Sequence, residues 1–145
     1  KTSKETLVGA VDRKSLYFLA KKIPRLKQAM VAAKRLLKPY QVFSLTLDNG
    51  PENASYQILG VSSFFCHPYS AWEKPIIENA FRRLRRYIPK KSCLVRYSDE
   101  EISLIIDRMN NMPRKCLDWK TPKEVFFQSQ TTKLSIFNLE CCTSG

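Results

Sequence analysis

Val42-Phe43-Ser44-Leu45-Thr46-Leu47-Asp48-Asn49-Gly50-Pro51 reads as a strand that runs directly into a tight turn. Phe43, Leu45 and Leu47 fall on one face of an extended chain, with Ser44 and Thr46 on the other. That alternation is the pattern of a half-buried strand. Asp-Asn-Gly-Pro then ends it, because Asn and Gly tolerate turn dihedrals and Pro cannot continue a ladder. The stretch leaves one carboxylate, Asp48, at the end of a strand. There a side chain is exposed yet held by a rigid sheet, the usual place for functional groups in α/β folds. A plain turn aspartate reads equally well at this point.

Upstream, Leu7 to Val11 and Ser15 to Ala20 are two apolar runs joined by Asp12-Arg13-Lys14, which predicts an antiparallel hairpin. Pro24 opens a helix, with Leu26, Met30, Ala33 and Leu37 at helical spacing, and Pro39 ends it. Downstream, Glu52 to Leu59 predicts one or two helical turns closed by Gly60, and Val61 to Cys66 a further strand. Pro68 to Pro75 reads as loop. A helix follows over Ile76 to Tyr87, with Ile77, Phe81 and Leu84 on one side and Arg82, Arg83, Arg85 and Arg86 around the rest. Ser98 and Glu101 make a capping box for a helix carrying Ile102, Ile105, Ile106 and Met109. Thr121-Pro122 opens a last helix. Residues 129–145 show no pattern and are expected to be a tail beyond a single domain of residues 1–128. Strands first and helices later give a mixed α/β layered domain.

Composition narrows the function. The 145 residues suit one domain with a real core. Lys and Arg number 25 against 13 Asp and Glu, a net charge of +12 with pI ≈ 9.7. Such an excess attracts polyanions, nucleic acid first; a membrane surface or a ribosomal contact would suit the same composition. No apolar run reaches the ~20 residues that span a bilayer, and no signal-peptide pattern is present. A soluble intracellular protein is expected. The chain starts at Lys1 rather than Met, so an upstream segment is also expected. Cys66, Cys93, Cys116, Cys141 and Cys142 are scattered, and with a single histidine, His67, they form no zinc-ligand set. They read as buried free thiols in a reducing compartment.

Glu78 falls in the first turn of the Arg-rich helix, where a carboxylate also suits the helix dipole. A strand-end Asp and a helix-start Glu could meet around divalent cations. Phosphoryl transfer with two metals requires such hard oxygen ligands, for activating the attacking oxygen and stabilising the leaving one.

The blocks around the pair make the reading specific. Leu45-Thr46-Leu47-Asp48-Asn49-Gly50-Pro51-Glu52 and His67-Pro68-Tyr69-Ser70-Ala71-Trp72-Glu73-Lys74-Pro75-Ile76-Ile77-Glu78-Asn79 closely resemble the transposases of the insertion-sequence-thirty family. The resemblance continues through Leu84-Arg85-Arg86-Tyr87-Ile88-Pro89-Lys90, Asn110 to Leu117 and Thr121 to Phe126, and includes Val11-Asp12-Arg13-Lys14-Ser15 at the front. It covers residues 6–127 in order. It implies a ribonuclease-H-like core whose Asp-Asp-Glu triad binds two Mg²⁺ (or Mn²⁺) ions. Asp48 matches the second acid and Glu78 the third. The first acid belongs on a strand upstream of Lys1, so the chain is expected to lack that strand and one ligand, leaving a gap or an exposed edge. The interval from Asp48 to Glu78 is also short by about one helical turn, ~3.6 residues.

The resemblance implies transposon ends and target DNA as partners, assembly into a multimer when complete, and a location in the bacterial cytoplasm at the nucleoid; neither a membrane nor a small-molecule substrate is expected. Lys74, Arg82, Arg83, Arg85, Arg86, Arg114 and Lys115 are the candidate phosphate contacts. Four arginines within five positions repel unless something offsets them. Tyr69 and Trp72 could stack on an unpaired base or pack under a helix. Asn79 could orient Glu78 or serve only as a helix-surface polar group. Two readings of function stay open. One is an enzyme of strand cleavage and strand transfer; the other is a catalytically inactive remnant that only binds nucleic acid. A basic RNA-associated module is a third, disfavoured by the paired acids.

Overall fold

The computed structural model describes residues 5–67, 75–90, 92–130 and 135–143. The hairpin forms as expected: β1 (Thr6–Asp12) pairs antiparallel with β2 (Phe18–Ile23), Val11 opposite Phe18. Its turn is longer than the sequence suggests. The Asp12 carboxylate accepts from the Ser15 amide at 2.8 Å and the Ser15 hydroxyl at 2.5 Å, and Leu16 takes a left-handed φ of 62°. These local bonds offer the backbone a substitute for the ladder, so Ser15 to Tyr17 belong to the turn rather than the strand.

After Pro24 a short 3-10 turn (Leu26–Gln28) precedes α1 (Ala29–Leu37). β3 (Val42–Leu47) follows, then 3-10 turns at Pro51–Asn53 and Tyr56–Leu59, closed by Gly60 in the left-handed region at φ 67°. β4 (Ser62–Phe65) pairs parallel with β3. Phe43 does not share the buried face of Leu45 and Leu47: it is 59% exposed. The β3–β5 register shifts between Val42 and Ser44, and that irregularity breaks the alternation at Phe43. α2 (Pro75–Leu84), α3 (Asp99–Asn110) and α4 (Pro122–Gln130) complete the helices. The Ser98–Glu101 capping box forms with both reciprocal bonds. Thr121 and Glu124 make the same exchange ahead of α4.

The C-terminal residues correct the sequence reading. α4 runs past residue 128, and a fifth strand, β5 (Ser135–Thr143), forms where no pattern was legible. It lies between β1 and β3 in a five-stranded sheet of order β2-β1-β5-β3-β4. It runs antiparallel to β1, from Thr6 opposite Thr143 to Asp12 opposite Phe137, and parallel to β3, with Thr46 opposite Asn138. The gap or exposed edge expected from the sequence is not found there: β5 occupies the position between β1 and β3.

Helices cover both faces. On one, Val8, Ala10, Leu45, Leu47, Phe137 and Leu139 pack with α1 and Phe126 of α4. On the other, Leu7, Val11 and Phe18 pack with Ile77, Phe81 and Leu84 of α2 and Ile102, Ile106 and Met109 of α3. Gly9 permits this second layer: a Cβ there would stand 2.5 Å from Phe81 Cζ. The result is the three-layer α/β/α arrangement expected of the fold class.

Candidate active site and nucleic-acid interface

Asp48 stands one residue beyond β3, half-buried. The turn after it is tied down at several points. Asn49 Nδ2 donates to the Cys66 carbonyl, and the Cys66 amide donates to the Leu47 carbonyl at 2.9 Å. Asn53 Nδ2 donates to the Asp48 backbone carbonyl at 2.8 Å and to Asp48 Oδ1 at 2.5 Å. Asn53 is 3% exposed, and its Oδ1 is buried without a hydrogen-bond partner among the described residues. Sequence reading missed this residue. Its only signal was a short polar side chain placed just after the Asp-Asn-Gly-Pro turn.

Glu78 is exposed in the first turn of α2, as expected. Ile77, Ala80, Phe81 and Leu84 are buried against the sheet, which turns Glu78, Asn79, Arg82 and Arg83 outward. Arg82, Arg83 and Arg86 are exposed and Arg85 is half-buried; Arg85 and Arg86 lie just past the end of α2. Lys115 is exposed in a 3-10 turn, while Arg114 is half-buried and donates from Nη2 to the Met109 carbonyl at 3.3 Å. Lys74, Tyr69 and Trp72 lie outside the described residues.

The donors at Asp48 and Glu78 are hard carboxylate oxygens, the chemistry Mg²⁺ prefers. Their number is lower than the expected triad. Among the described residues no group of three or more His, Cys, Asp or Glu is placed to hold an ion.

No family model matches the chain. Among characterised proteins, the chain is 36% identical over 133 residues to the transposase InsI of insertion sequence element IS30A from Escherichia coli strain K12. It is 37% identical over 135 residues to the transposase of IS1086 from Cupriavidus metallidurans. Each alignment takes in 86% of this chain. The chain is a homologue of the IS30 transposases. It spans 35% of the first relative's length and 40% of the second's. The fold agrees: the catalytic core of BIV integrase superposes with a TM-score of 0.67 at 24% identity, over 88% of this chain and 89% of that one. The chain thus has the ribonuclease-H-like fold of an integrase catalytic core. None of its described helices is long and apolar enough to cross a membrane.

Two of its candidate cations border the same cavity. Arg83 of α2 and Arg114, beyond α3, line one cavity of about 180 Å³. Nothing in the sequence pairs them. Their shared cavity follows from α2 and α3 packing side by side on the sheet.

Proposed function

We propose that this chain is the catalytic-core segment of a transposase, acting on DNA by divalent-cation-dependent phosphodiester cleavage and strand transfer. The observation that carries this reading is the homology to IS30 transposases over most of the chain, coupled with an integrase-core fold. Asp48 and Glu78 are its metal-holding carboxylates. A bound divalent cation would supply Lewis-acid polarisation of the scissile phosphate. The protein's part is orientation. The strand end fixes the backbone of Asp48, and Asn53 fixes its carboxylate. The outward arginines of α2, with Arg114 and Lys115, hold the DNA backbone. Transposon ends and target DNA are its partners, in an assembly of several copies within the cytoplasm.

The test is Mg²⁺-dependent nicking of transposon-end DNA, with Asp48→Ala and Glu78→Ala run beside the parent and circular dichroism confirming their fold. Loss of nicking in both variants is expected. Nicking at parental rate in both would remove Asp48 and Glu78 from the site. One observation favours the second reading, a non-catalytic DNA-binding remnant: among the described residues no three His, Cys, Asp or Glu side chains are grouped to hold an ion. DNA binding with no nicking under any Mg²⁺ or Mn²⁺ concentration would establish that alternative.

A further inference from the structure

The cavity shared by Arg83 and Arg114 has two unlike parts. Its floor is apolar, with Leu16, Ile76 and Cys116 presented over the buried Val11 of β1, Phe18 of β2 and Met109 of α3. Its rim is polar and cationic, made by Asn79, Arg83 and Arg114, and no acidic side chain among the described residues lines it. Asn110 also borders it, but its amide is committed on both sides: Nδ2 donates to the Phe18 carbonyl at 2.7 Å, and Oδ1 accepts from the Phe18 amide at 2.9 Å. Recognition therefore falls to Asn79, with one amide donor group and one acceptor, and to the two guanidiniums. Arg114 spends one nitrogen on the Met109 carbonyl, which fixes the group and leaves it further donors.

A paired, stacked duplex offers such a cavity only phosphates, which would meet the rim and leave the floor wet. An unpaired nucleotide offers both halves: a flat π-face for the apolar floor, base edges for an amide, and a phosphate for arginines. Asn79 and Arg83 sit four positions apart on α2, and Asn79 adjoins the candidate ligand Glu78. We infer that this cavity receives the base of one unpaired DNA nucleotide, with its phosphate between Arg83 and Arg114. The inference rests on the DNA-acting reading and adds a site for strand opening beside the candidate acid.

The test compares two duplexes of one sequence by fluorescence anisotropy. One carries a single base facing an abasic position, and the other is fully paired. The wild-type chain should bind the duplex with the unpaired base about tenfold more tightly, in keeping with an apolar face removed from water. Cys116→Trp and Ala80→Met both put bulk into the cavity and should bring the affinity ratio close to one. Cys116 is exposed, so its replacement leaves the core intact and decides the matter even if Ala80→Met fails to fold. Arg83→Ala should reduce the preference as well. A wild-type ratio of one overturns the inference while the nucleic-acid reading stands. A ratio that survives both cavity-filling changes places the base elsewhere and also overturns it. If neither duplex binds, both readings fall together.

Discussion

At the scale of single residues, the environment of Asp48 separates positioning from ligation. Asn53 holds Oδ1 of Asp48 at 2.5 Å while leaving its own Oδ1 buried and without a partner among the described residues. An unsatisfied buried polar atom costs about 1–3 kcal/mol, so this amide is kept for geometry more than for stability. Asn53→Ala should therefore raise the Mg²⁺ concentration for half-maximal nicking by about tenfold, as loss of a group orienting a ligand does. Its melting temperature should stay near that of the parent. A merely structural Asn53 would give the opposite pattern, a lower melting temperature with an unchanged Mg²⁺ requirement. Tyr17 offers a pH-dependent counterpart. Burial first, then Tyr40 by charge and hydrogen bond, and then Asp107, push its phenol above the ordinary value of 10.0. It also stacks on Phe126 at 4.4 Å. The unfolded chain thus loses this proton before the folded one does, and stability must fall as pH rises above about 10. Tyr17→Phe should flatten that decline in urea unfolding followed from about pH 9 to pH 11. An identical slope in the variant would assign the decline to other groups.

At the scale of elements, the parts that were legible in the sequence are those with local signatures. The hairpin, β3 and its turn, the capping box of α3 and the Pro-started α4 each carry their own pattern of alternation or capping. The placement of Asp48 at a strand end and of Glu78 in a first helical turn was legible for the same reason, while their joint role rests on the resemblance alone. What was hidden depends on partners distant in sequence. Asn110 looks like a helix-end turn former, yet it bonds both backbone groups of Phe18, 92 positions away, and so pins α3 to β2. Asn110→Ala would orphan both groups and should cost about 2–4 kcal/mol in urea unfolding. A cost below about 1 kcal/mol would show that water replaces the amide. β5 was hidden more completely. Adjacent Ile136-Phe137 and paired Cys141-Cys142 blur its alternation, and it is a strand because β1 and β3 present open ladder edges on either side. Phe137 is fully buried between layers, so Phe137→Ala should destabilise the fold by about 3–5 kcal/mol. A change within ±0.5 kcal/mol would mean that β5 does not occupy the centre of the sheet in solution.

At the scale of the whole molecule, the net charge of +12 and the placement of the arginines make one joint statement. Charge alone predicts attraction to any polyanion; the fold decides which cations can act together. Burying Ile77, Phe81 and Leu84 against the sheet forces Arg82 and Arg83 outward on the same helix that carries Glu78. Arg86 and Lys115 are exposed as well. If these groups meet the DNA backbone, each releases roughly one condensed counterion, and affinity falls linearly with salt on a double-logarithmic plot. Replacing Arg82 and Arg86 together by Ala should then reduce the steepness of that plot by about 2, with equal loss of affinity for unrelated duplex sequences. Lys14, exposed in the β1–β2 turn, supplies the control, since its removal changes net charge without touching this set. A double variant whose salt dependence matched that of Lys14→Ala would mean that DNA responds to the overall field of the protein. In that case the arginines of α2 would be a solvated helix face, and the path of the DNA past Glu78 would have to be drawn from other residues.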